Sequence, residues 1–103
     1  MFLASASLAK LPDFAPQYCS NLIWAYGKLS VNPGPELMEK MAAHAASQMH
    51  AFKGHEMANL LWGYANLNHV PSHDTQLFAT INQQTRLRMR TFQVAHQAVS
   101  NLL

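Results

Sequence analysis

The chain has 103 residues, half of them hydrophobic, with a formal net charge of +2 and a single cysteine. That length fits one small domain or a short array of repeats, and no run approaches the roughly 18 consecutive apolar residues that a membrane span needs. One cysteine excludes an internal disulfide and a paired-cysteine metal site, and the small positive excess is far from a compelling basic footprint for a nucleic-acid partner.

The opening Met1–Ala9 is apolar and built of small residues. It has no basic residue before its apolar part and no arginine, so it reads neither as a secretory signal nor as an organelle transit peptide. Ala4–Lys10 is expected to be the end of an earlier helix, which makes the chain a fragment at both ends. Pro12 and Pro16 disfavour a helix through Leu11–Pro16, and Pro16 suits the first turn of the next one. Gln17–Leu29 then has Cys19, Leu22, Ile23, Tyr26 and Leu29 at the spacing of one apolar face. Gln17, Asn21, Trp24 and Lys28 fall on the opposite stripe, and the small Ser20, Ala25 and Gly27 on the flanks let neighbouring helices approach. Val31–Gly34 is a turn. Pro35 starts a second helix running to about Ala51, with Leu37, Met38, Met41, Ala45 and Met49 inward and Glu36 and Glu39 near its positive end. A third helix is expected over Gly54–Leu67, with Met57, Leu60, Leu61 and Tyr64 inward and His55, Asn59, Trp62 and Asn66 outward. Ser72 is a candidate cap for a fourth helix, from about His73 to Met89, with Leu77, Phe78, Ile81 and Met89 inward. Ala95–Leu103 opens another.

The first and third of these helices carry the same phrase. Asn21-Leu22-Ile23-Trp24-Ala25-Tyr26-Gly27-Lys28-Leu29 returns as Asn59-Leu60-Leu61-Trp62-Gly63-Tyr64-Ala65-Asn66-Leu67, at an offset of 59 − 21 = 38 residues. Phe14 answers to Phe52, Pro33 to Pro71 and Cys19 to Met57, so Cys19 is an apolar core position. A third copy begins as Ser100-Asn101-Leu102-Leu103. A fixed period of this length marks stacked helical repeats that cover one another's apolar faces. The expected fold is all-α: an α-solenoid of antiparallel helix pairs, with 1–13 the end of a preceding repeat, 14–51 and 52–91 two full repeats, and 92–103 the start of a third. The bare apolar ends of such a stack should make the chain sticky.

The repeated phrase, led in by Phe14-Ala15-Pro16-Gln17, resembles the octatricopeptide repeat. That repeat forms two antiparallel helices and stacks into a solenoid, and Pro33-Gly34-Pro35-Glu36-Leu37 is similar in part to its Pro-Pro-Pro-Glu-Trp signature. The resemblance covers about residues 11–103, nearly the whole chain. It implies a protein of chloroplasts or mitochondria that binds single-stranded RNA, either an organelle transcript or ribosomal RNA, and acts in RNA stability, processing or translation. It implies no cofactor and no catalysis. The same architecture also serves as a protein-interaction scaffold or a structural part of an organelle ribosome, and the weak net charge favours that alternative.

Within the stripe, a modular reader keeps its scaffold constant and varies the contacting side chains. The varying positions are Gln17, His55 and Gln97, then Lys28 and Asn66, and these are the candidate RNA contacts. Trp24 and Trp62 are identical and cannot discriminate bases, so packing between units is their favoured reading over base stacking. Asn21, Asn59 and Asn101 are expected to form a hydrogen-bonded ladder between units. Of Arg86, Arg88 and Arg90, only Arg86 and Arg90 share a helix face, and they are candidate phosphate contacts. The six histidines lack a metal-ligand spacing. There is no Gly-rich phosphate loop, H-E-x-x-H or G-x-S-x-G. An enzyme would need a catalytic domain beyond Leu103.

Overall fold

The computed structural model describes residues 7–102, and all regular structure within them is helical. Residues 7–10 are helical and pass into a 3-10 turn, Leu11–Asp13. Four longer helices follow: α1 (Pro16–Leu29), α2 (Pro35–Ser47), α3 (Gly54–Asn66) and α4 (Leu77–Leu102), with 3-10 turns at Met49–Ala51 and His73–Thr75. The expectations for Ala4–Ala6 and Leu103, and for the side chain of Leu102, lie outside the described residues.

The repeat is visible in the backbone as well as in the side chains. The starts of α1 and α3 are 54 − 16 = 38 residues apart. Each helix is followed by a left-handed residue, Ser30 (φ 56°) directly after α1 and Asn68 (φ 54°) two residues past α3. In both, the next N–H reaches back to a tyrosine carbonyl: Val31 to Tyr26 at 3.0 Å and His69 to Tyr64 at 3.1 Å. This six-to-one closure satisfies carbonyls that a helix end leaves unpaired. Gly34, at φ 109°, then sets the entry to α2, with Pro35 at the start of the helix and the Asn32 side chain accepting the Gly34 N–H at 2.8 Å. At the start of α3, Glu56 accepts the Lys53 N–H at 2.8 Å, the return half of a capping box.

One side-chain tie holds each pair. His44 Nε2 on α2 lies 2.8 Å from the Phe14 carbonyl; because a carbonyl only accepts, this nitrogen carries the proton. The Arg88 guanidinium on α4 donates to the Phe52 carbonyl in the same way. A third tie joins the units: the buried Tyr64 hydroxyl donates to the Met38 carbonyl at 2.6 Å. The ties set the helix directions. The end of α2 meets the start of α1, and the start of α2 meets the end of α3. Both neighbours are therefore antiparallel to α2, and α1 and α3 run the same way, side by side.

Their contact is closer than most side chains permit. A Cβ on Gly63 would lie 2.6 Å from both Cγ2 and the carbonyl oxygen of Ile23, and one on Gly27 would lie 3.0 Å from the Cα of Gly63. The core beneath is made of Cys19, Ile23, Leu37, Met38, Met41, Met49, Phe52, Leu60, Tyr64 and Leu77, all nearly or wholly buried. The expected inward faces of α1, α2 and α3 are found with one clear exception. Leu29 is 71% exposed, because it is the last residue of α1 and the chain turns left-handed immediately after it.

The fourth helix departs most from expectation. It starts at Leu77 rather than His73 and continues through Met89 and position 92 to Leu102. Nothing in this stretch is a proline or glycine to stop it, whereas Lys53-Gly54 separates α2 from α3. Its inward line is Leu77, Ile81 and Arg88. Phe78 and Met89 sit about 100–120° around the helix from Leu77 and are exposed. The part of α4 beyond Arg88 runs past the end of α2, and every side chain from Met89 to Asn101 is exposed. Ser72 does not cap with its side chain. Its N–H donates to Glu39 instead, at 3.1 and 3.2 Å to the two oxygens, and His69 Nε2 lies 2.7 Å from the same carboxylate. Glu39 thus pins the turn after α3 to α2.

Two predictions follow from these contacts. Gly63→Ala should lower unfolding free energy in chemical denaturation by about 1–3 kcal/mol, while Gly54→Ala, which meets nothing within 4 Å, should change it by less than about 0.5 kcal/mol. The hydrogen bonds from His69 and then Ser72 hold the Glu39 carboxyl below its ordinary range. A group lowered on folding contributes stability above its unfolded pKa and loses it as pH falls through the folded value. Glu39→Gln should therefore cost stability at neutral pH, and the gap from the parent protein should close as pH falls below the usual carboxylate range.

Candidate nucleic-acid interface

The parallel first helices bring four candidate residues onto one surface. Gln17 and His55 stand at the starts of α1 and α3, and Lys28 and Asn66 in their last turns, and all four are exposed. Between them lie Trp24 and Trp62, 39% and 40% exposed. Their ring centroids are 5.9 Å apart with the planes inclined at 32°. The missing side chain of Gly27 makes room for the edge of the Trp62 ring, whose Cζ3 would lie 3.3 Å from a Cβ there. The tryptophans therefore do pack between units, as their identity suggested, and each still leaves about two-fifths of its surface in water.

The expected asparagine ladder is not formed. Asn21 is exposed and Asn59 half-buried, and neither side chain makes a hydrogen bond to another described residue. Asn101 accepts from Gln97 at 3.4 Å within its own helix. The reason is geometric. On α1 the close approach is made at Ile23 and Gly27, about 120–160° from Asn21, so that amide points away from α3, while Asn59, only about 40° from Gly63, is half-buried beside the contact with no amide opposite it. Asn66 turns back on its own helix, its Nδ2 donating to the Trp62 carbonyl at 3.0 Å.

Gln97, Arg86 and Arg90 belong to another part of the molecule. All three are on α4, in the layer of second helices, and all are exposed. At spacings of four and seven residues they share one stripe of that helix. A shallow groove beside Arg86 and Arg90 is lined also by Ala79, Asn82, Gln83 and Leu87. Arg88, on a different face, is half-buried and committed to the Phe52 carbonyl. Sequence spacing separated Arg88 from its neighbours; its inward tie was not foreseen, although its place on the Leu77–Ile81 line is the signal that could have found it. The Glu39–His69–Ser72 cluster was also missed, because it joins residues about 30 positions apart that no local pattern links.

The buried titratable groups serve the scaffold. Burial pushes the Cys19 thiol up to about 12, so it stays protonated and unreactive at neutral pH. Burial likewise raises Tyr64 and Tyr26. The Tyr26 hydroxyl lies against Ser7 and, unlike Tyr64, has no backbone partner among the described residues. Among those residues no three His, Cys, Asp or Glu side chains converge to hold a metal ion, and no helix is long and apolar enough to cross a membrane.

The fold defines an all-helical protein of paired, stacked helices. Its sequence is 29% identical over 69 residues, 67% of the chain, to a RAP domain-containing protein, chloroplastic, of Oryza sativa subsp. japonica. The chain spans only 11% of the length of that relative. No family model matches the chain, and no solved structure matches it.

The two kinds of arginine on α4 should behave differently when removed. Arg88→Ala should lower stability by about 1.5–3 kcal/mol through loss of a charge-assisted hydrogen bond to a carbonyl. Arg86→Ala and Arg90→Ala should each stay within about 0.5 kcal/mol of the parent. Urea unfolding of the three variants checks this.

Proposed function

We propose that this protein is a non-catalytic RNA-binding module that holds single-stranded RNA along the exposed stripe of α1 and α3. The observation that carries this reading is the arrangement of that stripe. Two parallel helices that start 38 residues apart, end in the same turn and bury counterparts at 19/57 and 26/64 differ at the exposed positions 17/55 and 28/66, where Gln and Lys in one unit become His and Asn in the next. A constant scaffold with varied exposed side chains is how a repeat protein meets successive nucleotides. Gln17, Lys28, His55 and Asn66 are the contacts on this surface. Arg86 and Arg90 meet phosphates from the second layer, with Gln97 further along the same stripe. The octatricopeptide resemblance supports an RNA ligand, and the chloroplastic relative supports action on a chloroplast transcript or ribosomal RNA, in its stability, processing or translation.

The weak net charge sustains a second reading, a scaffold for another protein or for an organelle ribosome. Affinity for random single-stranded RNA at two salt concentrations separates them. A four-fold rise in salt should weaken binding about three-fold if Lys28 alone neutralises a phosphate, and about twenty-fold if Arg86 and Arg90 join it. Absence of binding at low salt would overturn the RNA reading in favour of the scaffold.

A further inference from the structure

We infer that Trp24 and Trp62 together form a stacking step for an unpaired nucleobase, with the Asn21 and Asn59 amides beside it as hydrogen-bonding partners for the base edge. The inference rests on the RNA-binding reading and adds the site within it. Packing explains only part of what these tryptophans do. The helices are already held by the backbone approach of Gly63 to Ile23 and by the Tyr64–Met38 hydrogen bond. Yet both indoles stand on the outer surface, with about two-fifths of each in water and their centroids 5.9 Å apart. Two indoles side by side, each with part of its surface bare, offer aromatic surface on which a base can stack.

Three neighbours make the patch suited to a base rather than to an apolar side chain. Asn21 and Asn59 each precede a tryptophan by three residues, so amide and ring share one helix face. Neither amide has a hydrogen-bond partner among the described residues. Lys28 lies four residues beyond Trp24 on the same stripe and is exposed, within reach of a backbone phosphate next to the stacked base. Ring face, free amide and cation are the three groups that grip a single strand: stacking, edge contact and charge. Stacking tolerates any base, because every base has a π face. Identical tryptophans in both units therefore suit a step that grips the strand while the varied positions at 17/55 and 28/66 discriminate.

The test is a fluorescence titration of the intact chain, at low salt, with a short uridine RNA and with an abasic strand of the same length. Base-bearing RNA should quench the tryptophan emission, and the abasic strand should bind about five-fold or more weakly and leave the emission unchanged. Trp24→Phe should retain most of the affinity, and Trp24→Leu should lose about five-fold or more, with circular dichroism confirming the fold of each variant. Equal affinity for the two strands with unchanged emission would overturn the stacking step and leave a backbone-only mode of RNA binding. No affinity for either strand would overturn the stacking step and the RNA reading together. The strand comparison needs no variant, so it decides even if Trp24→Leu does not fold.

Discussion

The arrangement depends on the contact at which Gly63 lies against the carbonyl and side chain of Ile23. A glycine there lets two helix backbones approach to a distance that any Cβ would prevent, and Gly27 does the same from the other side. Because α1 and α3 meet in this way on one flank, their apolar faces both turn toward α2 and their polar faces both turn to water. The exposed stripe follows from the flank contact. Were the helices wider apart, Trp24 and Trp62 would lose their mutual contact and the stripe would become two unrelated helix surfaces.

The second layer is attached by polar ties of a repeated kind. In each unit the carbonyl of the phenylalanine before the first helix receives a donor from the second helix, His44 in one and Arg88 in the other. The donor changes while the acceptor is kept, since the carbonyl is backbone and the need to satisfy it is the same in both units. The length of α4 breaks the symmetry. Its first half is seated on α2 as far as Arg88, and its second half presents Phe92, Val94 and Val99 to solvent.

Much of this was legible in the sequence because it was written twice. The 38-residue offset locates α1 and α3 and their exposed stripes, and Pro16, Pro35 and Gly54 mark helix starts. Local periodicity failed where local rules do not decide. Leu29 has the right spacing to be buried but falls on the last residue of its helix. Phe78 and Met89 are apolar but lie about 100–120° around α4 from Leu77, and both are exposed. The asparagines recur at equivalent positions, which suggests a ladder, yet parallel neighbours touch on opposite flanks: the contact set by glycine lies near Asn59 on α3 but far around the helix from Asn21 on α1. The Glu39 cluster and the Arg88 tie are tertiary, and nothing in a linear pattern reports them.

The functional reading joins two kinds of support: an exposed stripe that varies in its polar residues over a constant frame, and kinship in sequence with a chloroplastic protein. If the outer surface of the first-helix layer meets RNA, backbone amide shifts followed by NMR while single-stranded RNA is added will concentrate in α1 and α3, at and around Gln17, Asn21, Trp24, Lys28, His55, Asn59, Trp62 and Asn66. Shifts confined to α2 and the seated half of α4, with that stripe unmoved, would contradict this placement.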